Sequence, residues 1–228
     1  MAEPQRNALI VGASRGIGLG LVEVFLKRGW RVMATQRKPS PNLEKLGCDA
    51  LSIETADIDD DSSIRALHGR LNGQNFDLVF VVAGVITHRD DPLHDVPREA
   101  AAAIYLTTAV SPIRFAEAFS GSVAPGGMIA FMSSILGSVA LNTNGGTETY
   151  RASKAALNSY ARSFAIRHRA DGFGALILHP GWVRTDMGGE DAEIDVATSA
   201  AGMANVVERR LGETDAVFLD YSGKTLPW

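Results

Sequence analysis

The chain predicts an α/β domain: one doubly wound parallel sheet of about seven strands, with helices on both faces, filling residues 1–228. Three observations predict it. Short, nearly all-apolar runs recur along the chain, as expected of strands covered by helices on both faces. Longer amphipathic segments separate these runs, and strict alternation of strand and helix implies parallel neighbours joined by crossover helices. A length of 228 residues suits one large domain, and no repeat, low-complexity tract or long linker divides it.

The expected strands are Ala8–Val11, Arg31–Ala34, Ala50–Ile53, Leu78–Val82, Met128–Met132, Ala175–His179 and Val217–Leu219. The expected helices are Ile17–Lys27, Ser62–Leu71, Arg98–Phe119, Thr149–Arg169 and Val196–Arg210. In such sheets the ligand crevice lies beyond the carboxyl ends of the strands. The segments rich in glycine or catalytic residue types follow strands, where that rule wants them.

The first strand runs into Gly12-Ala13-Ser14-Arg15-Gly16-Ile17-Gly18 and then a helix. Glycines let the backbone turn sharply and approach a diphosphate, and the helix N-terminus offers free N–H groups to the anion. This is a Rossmann-type arrangement, although its spacing is Gly-x-x-x-Gly-x-Gly rather than the commoner Gly-x-Gly-x-x-Gly. The second strand ends in Ala34-Thr35-Gln36-Arg37-Lys38, with no carboxylate for a ribose 2′-hydroxyl. Arg15 and Arg37 would instead clamp a 2′-phosphate, or stand as solvated surface charges. This favours NADP(H) over NAD(H). After the third strand, Asp57 would accept from the adenine amino group beside Ile58, and Asp59-Asp60-Asp61 would cap the next helix.

Ala83-Gly84 follows the fourth strand, and Ser133-Ser134 the fifth. Tyr150 and Lys154 stand four residues apart, about one helical turn, so phenol and ammonium share a face. A cation beside a phenol favours the phenolate and lowers a pKa that starts near 10. Tyr150 would then exchange a proton near neutral pH. The sixth strand leads into His179-Pro180-Gly181.

In this order and spacing, these segments resemble the short-chain dehydrogenase/reductase family over essentially the whole chain. Ala140–Asn158, His179–Met187, Phe218–Tyr221 and Leu226–Trp228 resemble its C-factor-like carbonyl reductase branch. The resemblance implies a reaction in which Tyr150 protonates a carbonyl oxygen as hydride arrives from the nicotinamide, and removes that proton in the oxidative direction. It implies that Lys154 lowers the phenol pKa and binds the nicotinamide ribose, and that Ser134, rather than Ser133, holds the substrate oxygen. It places Gly12, Ser14, Arg15, Gly16, Ile17, Gly18, Arg37, Asp57, Ile58, Ala83 and Gly84 on the cofactor. Tyr150, Lys154, Pro180, Gly181, Val183 and Thr185 join them at the nicotinamide end. It also implies a homodimer or homotetramer. Two positions depart from the family pattern. Val81-Val82 stands where Asn-Asn is common, and Thr108 stands where a catalytic Asn is expected, four residues before Pro112. Thr108 would hold the relay water through its hydroxyl.

A net charge of −4 gives no basic surface for nucleic acid or anionic membrane. No apolar segment reaches the ~18 residues of a membrane span, and Met1–Asn7 contains no signal-type apolar run. The single cysteine, Cys48, excludes a disulfide within the chain and fits a reducing compartment, so a cytoplasmic protein is expected. The five histidines show no metal-ligand spacing, and Ser134 has no hydrolase elbow. The stretch Met187–Glu193 reads as a lid over substrate or a plain connector. The leading expectation is an NADP-dependent oxidoreductase acting on a small carbonyl or alcohol substrate. Its rivals are a dinucleotide-binding regulatory protein with little turnover, and a lyase or epimerase on the same fold.

Overall fold

In the computed structural model, which describes residues 5–228, seven strands form one wholly parallel sheet. Met1–Pro4, the start of the stretch without a signal-type run, lie outside the described residues. The strands are β1 (Asn7–Val11), β2 (Arg31–Gln36), β3 (Leu51–Thr55), β4 (Phe76–Val81), β5 (Val123–Met132), β6 (Gly174–His179) and β7 (Ala216–Asp220). Their spatial order is β3-β2-β1-β4-β5-β6-β7. The order reverses between β1 and β4, so the crevice opens beyond Val11 and Val81.

The pleat sends alternate residues to opposite faces. Ala8 and Ile10 face one core, shared with Leu21 and Phe25 of α1 (Gly16–Lys27) and Met203 of α7 (Val196–Arg210). Leu9 and Val11 face the other. There they meet Leu67 of α3 (Asp61–Arg70), Phe115 of α5 (Ser111–Phe119) and Phe164 of α6 (Glu148–Arg167). Double burial of every central strand is what the apolar runs encoded.

The structure corrects three expectations. β5 starts at Val123, where Pro125-Gly126-Gly127 interrupts the apolar pattern and the pairing with β4 shifts register between Phe76 and Leu78. A short helix, α2 (Pro41–Glu44), follows β2, with the Ser40 hydroxyl accepting from Leu43 N at 3.3 Å. The expected helix Arg98–Phe119 keeps its bounds but is not regular. It runs as α4 (Arg98–Tyr105), opens into a π turn over Leu106–Val110, and resumes as α5. Pro112 is the physical cause: it has no N–H for the Thr108 carbonyl, and its ring collides with that carbonyl in a regular helix.

Candidate active site

The crevice is built first by glycine. Gly12 has φ +89°, and a Cβ there would stand 2.9 Å from both Cβ and N of Ala83. A Cβ on Gly18 would stand 2.2 Å from Gly12 O. These two positions let the loop fold against itself and against the end of β4. The end of β2 fixes its height: Gly12 N donates to Thr35 Oγ1 at 3.0 Å, and Ala13 N to Thr35 O at 2.8 Å. Ser14 is held through its carbonyl, which accepts from Ser40 Oγ at 2.6 Å.

α1 begins at Gly16, followed by Ile17. Its cap residue Arg15 makes no side-chain capping bond, and no acidic residue lies in its first turn. Its first N–H groups and the positive end of its dipole therefore remain available to an anion. Open glycine cradle and uncapped helix start together fit the diphosphate of a dinucleotide. Arg37 is exposed just past β2. Arg15 reaches the other way, with Nη1 donating to Asp186 Oδ2 at 2.5 Å. That pair is about three-quarters exposed on both sides (76% and 78%), so it contributes little and exchanges readily.

Asp57 Oδ1 accepts from Asp59 N at 3.0 Å, and Ile58 is buried beneath it. The three following acids divide their roles rather than capping together. Asp60 is the N-cap of α3, accepting from Ser62 N at 2.8 Å. Asp61 pairs with Arg114. Asp59 grips the helix across the crevice, accepting from Thr107 Oγ1 at 2.7 Å and Ser111 Oγ at 2.6 Å.

β5 delivers the serine pair. Ser133 Oγ donates to Asn158 Oδ1 at 2.6 Å, and Asn158 Nδ2 donates to Gly137 O at 3.3 Å. Ser133 is thereby spent on tying β5 to α6. The Ser134 hydroxyl oxygen accepts from Leu136 N at 3.1 Å, and its proton remains free to point elsewhere. Lys154 is buried, with Nζ donating to Met132 O at 2.7 Å and lying 5.6 Å from the centre of the Tyr150 ring. Gly84 approaches it from β4: a Cβ there would be 3.6 Å from Nζ. The Tyr150 hydroxyl has no hydrogen-bond partner among the described residues, and its ring is only partly exposed.

One expectation changes here. The phenol is not lowered in this arrangement; burial pushes it up to about 12, against a weaker opposing pull from the positive charge of Arg89. Lys154 does not offset this, because burial lowers its own pKa to about 7 and its ammonium is turned to a backbone carbonyl. Thr108 is wholly buried, and its hydroxyl donates to Val85 O at 3.2 Å. It ties the loop after β4 to this helix, and the carbonyl released by Pro112 belongs to the same residue.

The strand β6 ends at His179, which burial holds neutral with a pKa near 4. Pro180 and Gly181 (φ +85°) then turn the chain, and a Cβ on Gly181 would fall 2.6 Å from Ile194 Cδ1. Val183 and Thr185 begin a tight loop in which Thr185 Oγ1 donates to Val183 O at 3.3 Å and accepts from Gly188 N at 3.0 Å. A cleft of about 570 Å³ lies between this loop and the segment after β4, lined by Arg15, Gly84, His88, Arg89, Asp186 and Met187 among others. Arg89 crosses it, with Nη2 donating to Met187 O. No spacing or periodicity marked Arg89; only the loop's path brings it here. Among the described residues, no cluster of histidine, cysteine or acidic groups is arranged to hold a metal ion, and no helix is long and apolar enough to cross a membrane.

Fold and site together define a nicotinamide-dependent oxidoreductase. The chain belongs to the short chain dehydrogenase family, whose model matches residues 6–195. A short-chain dehydrogenase/reductase from Burkholderia multivorans with bound NADP superposes with a TM-score of 0.96 at 40% identity, covering 99% of this chain and all of that one. A carbonyl reductase from Pseudomonas aeruginosa in complex with NADP gives a TM-score of 0.89 at 41% identity, covering 98% of this chain and all of that one. The C-signal protein of Myxococcus xanthus is 40% identical over 138 residues, which is 60% of this chain and 83% of that protein.

Proposed function

We propose that the protein is an NADP(H)-dependent reductase of carbonyl groups on small molecules, with Tyr150 as proton donor. The observation that carries this reading is the continuity of the site. The glycine cradle after β1, the close approach of Gly84 to Lys154, and the Lys154 bond to the last residue of β5 join the cofactor end to the proton-bearing end. The NADP-bound relatives and the exposed Arg37, with no carboxylate at the end of β2, support NADP(H).

The bound nicotinamide supplies the hydride, and accepts it in the oxidative direction. Backbone N–H groups of Ser14, Gly16, Ile17 and Gly18 would hold the diphosphate, with Gly12 leaving room for its close approach, and Arg15 and Arg37 would meet the 2′-phosphate. Asp57, Ile58, Ala83 and Gly84 line the adenosine side. Pro180, Gly181, Val183 and Thr185 would hold the nicotinamide end. Tyr150 Oη donates its proton to the substrate oxygen as that oxygen gains charge, so the carbonyl becomes an alcohol. Ser134 donates a hydrogen bond to the same oxygen. Lys154 orients the ribose and, with a pKa of about 7, takes up and releases protons near neutrality beside the phenol. Thr108 is a positioning residue that fixes the loop carrying the substrate wall through Val85.

We place the protein in the cytoplasm as a homodimer or homotetramer. The lone cysteine supports the first, and exposed Tyr105, Leu106, Tyr160 and Ile166 on α4, the π turn and α6 support the second.

The test is titration with NADPH and with NADH, followed by turnover of diketones and aldehydes by wild type and Tyr150→Phe. Tight NADPH binding, with turnover that falls at least a hundredfold in Tyr150→Phe, is expected. Turnover undiminished in Tyr150→Phe would refute the proton donor. Binding without turnover of any carbonyl would favour a regulatory dinucleotide sensor.

A further inference from the structure

The charges around the cleft can be sorted by partner. Arg15 is matched by Asp186 at 2.5 Å, and Asp186, with its side chain 78% exposed, is left to solvent when Arg15 turns to a 2′-phosphate. His88 is matched by Asp91, with Nδ1 and Oδ2 2.7 Å apart. Arg89 is different: among the described residues no carboxylate forms an ion pair with it, and its one bond is to the Met187 carbonyl. A guanidinium has five N–H donors in a planar fork, so most of its capacity is left over.

Its placement is also held against a local preference. His88 immediately before it adopts φ +51°, a left-handed conformation that non-glycine residues seldom take. The His88–Asp91 bond closes that turn and sends residue 89 back over the cleft. The cleft that Arg89 crosses is lined by Arg15 at one side and by Gly84 at another, and a Cβ on Gly84 would stand 3.6 Å from Lys154 Nζ, so the guanidinium lies within reach of the Tyr150–Lys154 end as well, where its charge opposes the rise of the phenol pKa. The phosphates of a dinucleotide would lie at the cradle, beside Arg15.

We infer that Arg89 recognises a carboxylate on the substrate, so that the preferred substrates are oxo acids whose carbonyl faces Tyr150 while the carboxylate meets the guanidinium fork. This rests on the reductase reading and narrows its substrate class. The Met187 carbonyl presets the guanidinium without neutralising it, which is the arrangement a bidentate carboxylate needs. Neutral ketones would enter the same cleft but leave Arg89 without an anion.

The test uses phenylglyoxylate and 4-oxo-4-phenylbutanoate, each paired with its methyl ester, on wild type, Arg89→Met and Arg89→Lys. Binding to the protein–NADP complex is measured by calorimetry, and kcat/KM with NADPH is measured alongside. At least one acid is expected to bind wild type more tightly than its ester. The acid-to-ester ratio is expected to fall roughly tenfold to a hundredfold in Arg89→Met and to recover in part in Arg89→Lys. Acid and ester binding equally to wild type would overturn the proposal. So would a ratio unchanged in Arg89→Met, or a loss of NADPH affinity in its place, which would assign Arg89 to the cofactor. Carboxylate-selective binding without any turnover would refute the reductase and leave the anion site standing.

Discussion

Replacing Lys154 with methionine is expected to abolish turnover and yet stabilise the fold near neutral pH. Burial lowers the amine from 10.5 to about 7, which corresponds to roughly 5 kcal/mol of penalty on the charged form, and about 4 kcal/mol of it is felt at pH 7. Methionine is unbranched and similar in bulk, so it fills the space without a cavity. It leaves Met132 O without the donor it has at 2.7 Å, a loss of about 1–3 kcal/mol. The net expectation is a gain of about 1–3 kcal/mol at pH 7, or a few degrees in Tm. The sign has a pH signature. Between about 7 and 10.5 the unfolded chain holds the proton that the folded one has released, so wild-type stability climbs with pH through this group. The variant lacks that climb, and the wild type should overtake it by about pH 10. Tyr150, raised to about 12, acts in the opposite sense but only above its ordinary value near 10. Urea denaturation of both proteins from pH 6 to pH 10 reads the difference, in which all other titrating groups cancel. A variant less stable than wild type at pH 7, with a parallel pH slope, would show that the amine is held charged and would refute the burial argument.

The two serines should separate by readout. Ser134→Ala is expected to lower kcat/KM about a hundredfold with little change in the urea midpoint, whereas Ser133→Ala should cost about 1–2 kcal/mol of stability by breaking the buried bond to Asn158. The reverse pattern in steady-state kinetics and denaturation would exchange their roles. Gly18→Ala is expected to destabilise by about 3 kcal/mol, because its methyl would overlap Gly12 O. Gly69→Ala, in a helix with nothing within 4 Å of the new methyl, should instead gain about 0.5 kcal/mol, and thermal melts distinguish the two. Arg37→Glu should weaken NADPH binding roughly tenfold to a hundredfold and NADH binding less than about threefold, as read by fluorescence titration.

The sheet was legible because its central strands are buried twice over, and the helix Val196–Arg210 was found to the residue. The glycine loop was legible for a similar reason: only glycine allows the 2.9 Å and 2.2 Å approaches at positions 12 and 18. What escaped depends on contacts between distant segments. The apolar pattern ran through Leu106–Val110 without a mark, and only Pro112 carried the signal of a broken helix. The acidic run at Asp59–Asp61 read as a cap, yet its first member is taken by Thr107 and Ser111, 48 and 52 residues away. The reversed shift of Tyr150 was invisible for the same reason. A spacing of four says that phenol and amine share a face, but not that burial outweighs their attraction. Arg89 lies in a loop without periodicity, and its neighbours are set by the turn at His88.

The π turn gathers its contacts around Thr108. Pro112 releases the Thr108 carbonyl, Asp59 holds Thr107 and Ser111 on either side of the opening, and Thr108 turns its hydroxyl to Val85 O. A carboxylate from the loop after β3 thus holds both flanks of the open turn from outside the helix. The same economy governs the proton chemistry. Burial alone drives the phenol up to about 12 and the amine down to about 7, so the proton rests on Tyr150 while Lys154 exchanges near neutrality. A phenol held protonated is suited to donate to an oxygen that becomes strongly basic as hydride reaches its carbon. Arg89, with no ion-pair partner among the described residues, lines the cleft together with Gly84, and under our proposal it adds a pull toward anionic substrates that the Tyr-Lys pair itself lacks.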